Sequence, residues 1–404
     1  MKKGFILLFL IILLAPAALP RTGFCLSHNG ISSSQFFWYT DTFDETHFDG
    51  NQFLKLQLKE INNNPKLKVD FYGKVWTDFS EGEGSHARLY NAFIEVKDIF
   101  KNTDIRLGRQ FVYIPAGSST IDGLKVDFRL PGMFGVSLMG GRDVLFSETG
   151  EFSKEGDYAW GINAYLMKYS GTSLSASYYQ KYDENDLARE VVGLNFSQRI
   201  LDNLNFYLES TFDIVSELFN LVQTGFHYDP ADNLFLTVEY YLTNPNFDST
   251  SIYSVFTANN FQRILGRGNY QLSDKVTLRI EVAHQEYGDG GDGNEISLGS
   301  DWTPLESTVL QGKFILRNGD GGDVVGFEIN GTHSVTDAIS AAAGIQYDSY
   351  DRDYMTGSDD AQRYWIGGNY LISESTNVSL RVEDNENKNF NHDVRSRLTF
   401  NLAF

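Results

Sequence analysis

The sequence predicts an antiparallel transmembrane β-barrel of about 22 strands, in a range of about 18 to 22, behind a cleaved export signal. Three observations predict it. Apolar and polar residues alternate at a spacing of two along nearly the whole chain after its first 27 residues. The connectors alternate between short turns and long acidic loops. The chain finishes on "RSRLTFNLAF", a strand pattern with Leu398, Phe400, Leu402 and Phe404 on one face and Arg395, Arg397, Thr399 and Asn401 on the other.

The N-terminus is read first. Lys2 and Lys3 precede an apolar run, and Ala15, Ala17 and Ala18 supply the small residues of a cleavage site. Residues 1–27 are therefore expected to be a signal peptide, cut between positions 17 and 27. That leaves 28–404 as a single barrel domain.

Composition narrows the class. The 33 Lys and Arg stand against 53 Asp and Glu, a formal charge of −20, which argues against nucleic acid as a partner. Cys25 is the only cysteine, so neither an internal disulfide nor a thiolate metal cluster is possible. Beyond the signal, no apolar run approaches the roughly 18–20 residues that a membrane helix needs. Any apolar surface must be carried by strands.

Five segments display the pattern. "KLKVDFYGKVWTD" sets Leu67, Val69, Phe71 and Val75 against Lys66, Lys68, Asp70 and Lys74. "NLNFYLESTF" and "NLFLTVEYYL" repeat it with Leu204, Phe206, Leu208 and Phe212, then with Leu234, Leu236, Val238, Tyr240 and Leu242. "KVTLRIEV" and "NVSLRVED" do so with Val276, Leu278, Ile280 and Val282, then Val378, Leu380 and Val382. One such segment is ambiguous; recurrence over the whole mature chain is not.

The connectors fall into two sets. "NNNP", Pro131-Gly132, Ser170-Gly171, "LDN", "PADN", "SDK" and "SES" are compact turn sequences. Between them lie "DFSEGEG", "RDVLFSETGEFSKEGD", "DEND", "GDGGDGN", "NGDGGD", "DRDYMTGSDD" and "DNENKNFNHD", read as longer loops. Short turns at one end and long loops at the other is the layout of an outer-membrane barrel, with both termini periplasmic. A β-sandwich is the competing architecture. The charged face opposite each apolar stripe disfavours it, because a closed barrel in lipid gives both faces a solvent and leaves no edge unpaired.

Two resemblances follow from these residues. Phe404, on the lipid face of the last strand, resembles the terminal aromatic by which bacterial outer-membrane proteins are recognised for assembly. It implies outer-membrane lipid and the barrel-assembly machinery as partners. The stretch "DIRLGRQFVYIPAGSSTIDGLKVDFRL" is similar to large bacterial porins, which often carry an "LGRQ" strand, a loop and an "xDGL" strand, here Leu107–Gln110 and Asp122–Leu124. A "PEFGG"-like constriction motif is absent, and about 22 strands exceeds the porin norm of about 16–18.

The polar face carries the candidate site. Alternation places Lys68, Lys74, Arg106, Lys125, Arg129, Arg199, Arg267, Arg279, Lys313, Arg317, Arg363, Arg381, Arg395 and Arg397 toward the lumen. Asp70, Asp104, Asp127, Glu209, Glu239, Glu281, Glu328, Asp348 and Glu383 share that side. Rings of charge select ions, and a mildly basic lumen favours anions; cross-strand ion pairing that solvates the wall is the plainer reading. Arg109 breaks the alternation beside Leu107 and Phe111, which predicts a bulge or a position at the rim. The constriction is expected from 142–157 or from 244–260, with Phe247, Tyr253 and Phe256 as candidate residues in the second.

Other features carry less. "GDGGDGN" and "NGDGGD" lack the repeat of calcium-binding turns. His333 and Ser334 are adjacent, so a strand points them to opposite faces, and no catalytic site is expected. The seven histidines show no metal-ligand spacing; no metal or cofactor is expected. The expected function is passive diffusion of small hydrophilic solutes or ions. The alternative is a wide sheath around a partner such as a multihaem cytochrome.

Overall fold

The structure, a computed structural model, describes residues 27–404 apart from 41–44, 62–63, 81–83, 131, 148–149, 252–258, 289, 321, 352–357 and 389. Nearly all of the expected signal peptide, with Cys25, lies outside the described residues.

Twenty-two antiparallel strands form one sheet. The first, Ser27–Thr40, pairs with the last, Phe390–Ala403, from Ile31 opposite Ala403 to Trp38 opposite Ser396, so the sheet closes on itself. Each strand otherwise pairs with its sequence neighbour, which keeps the connections short and uncrossed. A small extra hairpin, Leu145–Ser147 with Gly150–Phe152, forms a separate two-stranded sheet. The predicted strand number and closed antiparallel barrel are what the fold shows.

Turn chemistry sets the compact connections. Ser170 and Gly171 have φ of 49° and 83°, the two left-handed residues of a type I′ hairpin turn. Glu184 and Asn185 have φ of 51° and 74°, with Asp183 paired directly to Asp186. "DEND", expected as a longer loop, is thus a two-residue turn. Its acidic composition suggested a solvated loop, but Asn tolerates the left-handed region well enough for a tight reversal.

Directly opposed residues of an antiparallel pair share a face, so the register traces each face around the wall. One face carries Ile94, Leu107, Leu138, Ile162, Val238, Ile264, Val282, Leu298, Leu316, Ile366 and Leu380, all exposed. Nothing in the protein covers them. On a closed barrel this is the convex face, and an apolar band around it is stable only in hydrocarbon. The other face is the concave, charged one. The buried apolar cluster therefore sits inside the barrel, against one side of its wall.

Candidate functional site

The site begins at two glycines. The strand Thr103–Ile114 pairs with His86–Val96 only from Ala92–Arg109 to Val96–Ile105, then parts from it. It stays paired with Gly117–Arg129 all the way to Ile114 opposite Gly117. Gly108 and Gly123 face one another at the point of departure. Gly108 has φ of 121°, and a Cβ there would lie 2.3 Å from the Ala92 carbonyl oxygen; at Gly123 it would lie 2.2 Å from that of Gly140. Glycine at both positions lets two strands leave the wall together. The segment expected to be a strand, a loop and a strand is instead one continuous hairpin that turns at Pro115-Ala116.

This hairpin folds inward onto the neighbouring wall. Val112, Ile114, Ala116 and Ile121 from the hairpin pack with Met139, Ala159, Tyr179 and Val191 from the strands beside it, forming one buried cluster. Ala116 N–H donates to Ser177 Oγ at 2.7 Å, and the Pro115-Ala116 backbone lies against Gly193. Each aliphatic side chain so buried contributes about 1.5–3 kcal/mol relative to exposure, which favours folding in over extending into water.

Folding inward reverses the two faces of the hairpin. Its former inner face now meets the inner wall, and its former outer face points into the lumen. Phe111 and Tyr113 are therefore exposed to the barrel interior, at 56% and 55%, rather than to lipid. Tyr113 Oη donates to Glu209 Oε1 at 3.3 Å. Arg109 grips Asp122 through two hydrogen bonds of 2.7 Å each and donates to the Leu89 carbonyl at 3.2 Å. No register shift occurs between Leu107 and Phe111. The broken alternation at Arg109 marks this departure from the wall, in place of the expected bulge or rim position.

Two loops hold the hairpin down. Ser119 Oγ donates to Asp143 Oδ1 at 2.6 Å, and Lys181 Nζ lies 3.5 Å from Asp143 and 3.0 Å from Asp248. Arg189 Nε completes the chain at 2.9 Å from Asp248. Ser249 N–H also donates to the Ala188 carbonyl at 2.9 Å, so residues 244–251 are drawn back across the mouth. Phe247 is exposed on that segment, while Tyr253 and Phe256 lie outside the described residues. From the other side, the loop 144–157 reaches His86–Val96: Arg88 Nη2 donates to the Ser147 carbonyl, and Tyr90 meets Phe146 at 5.6 Å between ring centroids. That contact covers the stretch of His86–Val96 that the departing hairpin leaves unpaired. Asp157, almost wholly buried, accepts the N–H groups of Lys154 at 2.7 Å and Glu184 at 3.0 Å. Burial alone raises its pKa, but those donors outweigh it and hold the carboxyl below its ordinary value.

The register places all the basic residues chosen by alternation on the concave face. Arg397 stands opposite Arg381, Lys313 opposite Glu328, Arg267 opposite Glu281, Arg106 opposite Lys125 and Lys68 opposite Glu95. Arg129, Arg199, Arg279, Lys74, Arg317, Arg363 and Arg395 follow from the same ladders. The set divides into paired and unpaired groups. Arg106 binds Glu95 at 2.9 Å, Arg279 binds Asp301 at 2.7 Å, Arg267 binds Glu281 at 2.7 Å and Arg381 binds Glu383 at 3.1 Å. Lys68, Arg129 and Arg395 also have carboxylate partners. Lys74, Lys125, Arg199, Lys313, Arg317, Arg363 and Arg397 make no ion pair among the described residues.

Several inner-face residues escaped the sequence reading. Lys181, Arg189 and Arg263 obey the same alternation and were recoverable from it, whereas Arg88 reaches the inner face only through the register shift between Tyr72 and Gly73. Phe111 and Tyr113 were not, because their pattern is that of lipid-facing residues. His333 and Ser334 sit near the terminal end on opposite faces, and His333 Nδ1 lies 2.9 Å from Thr308 Oγ1.

No protein-family model matches the chain, and no curated protein does. Solved structures do match it. OpdQ of Pseudomonas aeruginosa aligns over 94% of this chain and 99% of its own at 10% identity and a TM-score of 0.50. OccAB2 of Acinetobacter baumannii aligns over 94% and 98% at 9% identity and 0.51. The translocation pore of the P pilus usher PapC aligns over 93% and 99% at 9% identity and 0.54. These likenesses show a large closed β-barrel fold shared along nearly the whole chain.

Proposed function

We propose that this chain is an outer-membrane channel for the passive diffusion of small hydrophilic solutes or ions, with a mildly basic passage. One observation carries the reading: a hairpin anchored inside a charged barrel narrows one side of the lumen and leaves the other open. The open arc runs from Phe261–Ser273 through the closing seam to His86–Val96. On it stand Lys313, Arg317, Arg363, Arg397 and Lys74, whose unpaired charge would draw anions. The hairpin presents Phe111 and Tyr113 toward that arc.

The sheath reading loses support on the same ground, since the hairpin takes interior space that a cytochrome would need. We place the termini in the periplasm and the long loops outside. A tag inserted at 289–293 should then be accessible on intact cells. The function itself is tested by reconstituting the pure protein in a planar bilayer under a salt gradient. Ohmic conductance with a reversal potential of anion-preferring sign is the expected result. Absence of conductance from folded protein would overturn it.

A further inference from the structure

We propose a divalent transition-metal site on the outside of the barrel, at the loop end, formed by Asp384, Glu386 and His392. Asp384 and Glu386 are two apart on the strand Thr376–Asn387, so they share a face. The next hairpin turn returns the chain and sets His392 beside them. His392 Nδ1 lies 3.0 Å from Asp384 Oδ2 and 3.2 Å from Glu386 Oε1, and the three donor atoms all fall within 4.8 Å of one another. Ligand atoms bound at about 2.0–2.2 Å to one first-row cation stand about 3 Å apart at right angles, which the two separations from His392 match. An imidazole with two carboxylates suits zinc, manganese or iron better than calcium or magnesium, which prefer oxygen throughout.

A second observation concerns Asp384 itself. Its Oδ2 meets His392, while its Oδ1 has no hydrogen-bond partner among the described residues and so keeps its lone pairs available to a cation. The one lysine beside the cluster in sequence, Lys388, is engaged by Asp359 at 3.1 Å. The register fixes the height of the site. Asp384 stands between Tyr364 and Val394, and below them on the same face run Ile366 and Leu380, all exposed. The cluster caps the apolar band, so an ion there is reached from the outer surface and not from the lumen. No spacing in the sequence pointed to it, because the hairpin alone brings His392 to the two carboxylates.

The test uses the whole barrel, folded in detergent and stripped with a chelator, titrated calorimetrically with zinc and separately with manganese. One saturable site is expected. His392→Ala and Asp384→Asn should each weaken it by at least about tenfold. His284→Ala should not, since that outward-facing imidazole has a single carboxylate, Glu286, at 3.5 Å. Heat-dependent gel migration reports whether each variant is folded. A wild-type barrel without a saturable site, or folded His392→Ala and Asp384→Asn barrels that bind as tightly as wild type, would overturn the proposal.

Discussion

Tyr113 Oη lies 3.3 Å from Glu209 Oε1, a contact between residues 96 apart in sequence that belong to strands well separated around the wall. Only a hairpin crossing the inside of the barrel makes it. Its ring and that of Phe111 then form the free, lumen-facing edge of the hairpin. Replacing both by Ala should raise single-channel conductance and admit larger solutes, with folding unchanged because neither ring is buried. Equal conductance would remove the hairpin edge as the narrowest point.

The anchoring cluster should behave as a protein core. Ile121→Ala empties a fully buried position, and such a truncation costs about 2–5 kcal/mol. Much of that loss should appear locally, as faster hydrogen exchange of the hairpin amides and as noisier open-channel current, while the outer wall keeps its protection.

The hinge tolerates no side chain. Gly123→Val would drive a Cβ to within 2.2 Å of the Gly140 carbonyl oxygen, which is backbone and cannot swing aside. We expect a sharply reduced yield of folded, heat-modifiable barrel. A normal yield would mean that the two strands can leave the wall by another route.

Asp248 ties residues 244–251 to Lys181 and Arg189. Asp248→Asn removes the charge from the Lys181 hydrogen bond, a kind of contact worth about 1.5–3 kcal/mol, and from the ion pair with Arg189. The mouth should open and conductance rise. Deletion of 248–256 should go further in the same direction, and an unchanged conductance in that deletion would exclude the loop from the constriction.

The Asp157 staple gives a pH dependence with a definite sign. Its folded pKa is depressed, so the stabilisation is fully present above the ordinary carboxylate value and is lost as the pH falls through the folded one. Amide exchange of Lys154 and Glu184 should therefore stay slow near neutral pH and accelerate only below about pH 4, after correction for intrinsic rates. In Asp157→Asn that acid transition should vanish.

At the seam, Phe404 N–H donates to the Gly30 carbonyl at 3.0 Å and the Phe404 backbone oxygen accepts the Gly30 N–H at 2.7 Å, while the Phe404 ring lies over Gly30 where a Cβ would come within 2.1 Å of it. Replacing Phe404 by Asp should impair assembly by placing a charge on the lipid face of the closing pair. Normal amounts of folded barrel would show that the terminal ring is dispensable.

By itself the sequence determined that the chain is a barrel of strands with one apolar and one charged face. That follows because side chains of a strand alternate, and only a closed wall between lipid and water rewards such alternation over so many segments. Lys313, Arg363 and Arg397 were legible for the same reason. Alternation names the polarity of a face, however, and not what lies against it. Phe111 and Tyr113 carry the lipid-facing pattern of Leu107, yet two glycines turn their hairpin over and hand that face to the lumen. Glu209, Lys181 and Asp248 likewise meet their partners only once the barrel has curved round to bring distant strands within reach. Local chemistry set the wall; its closure into a cylinder decided which residues stand in the passage.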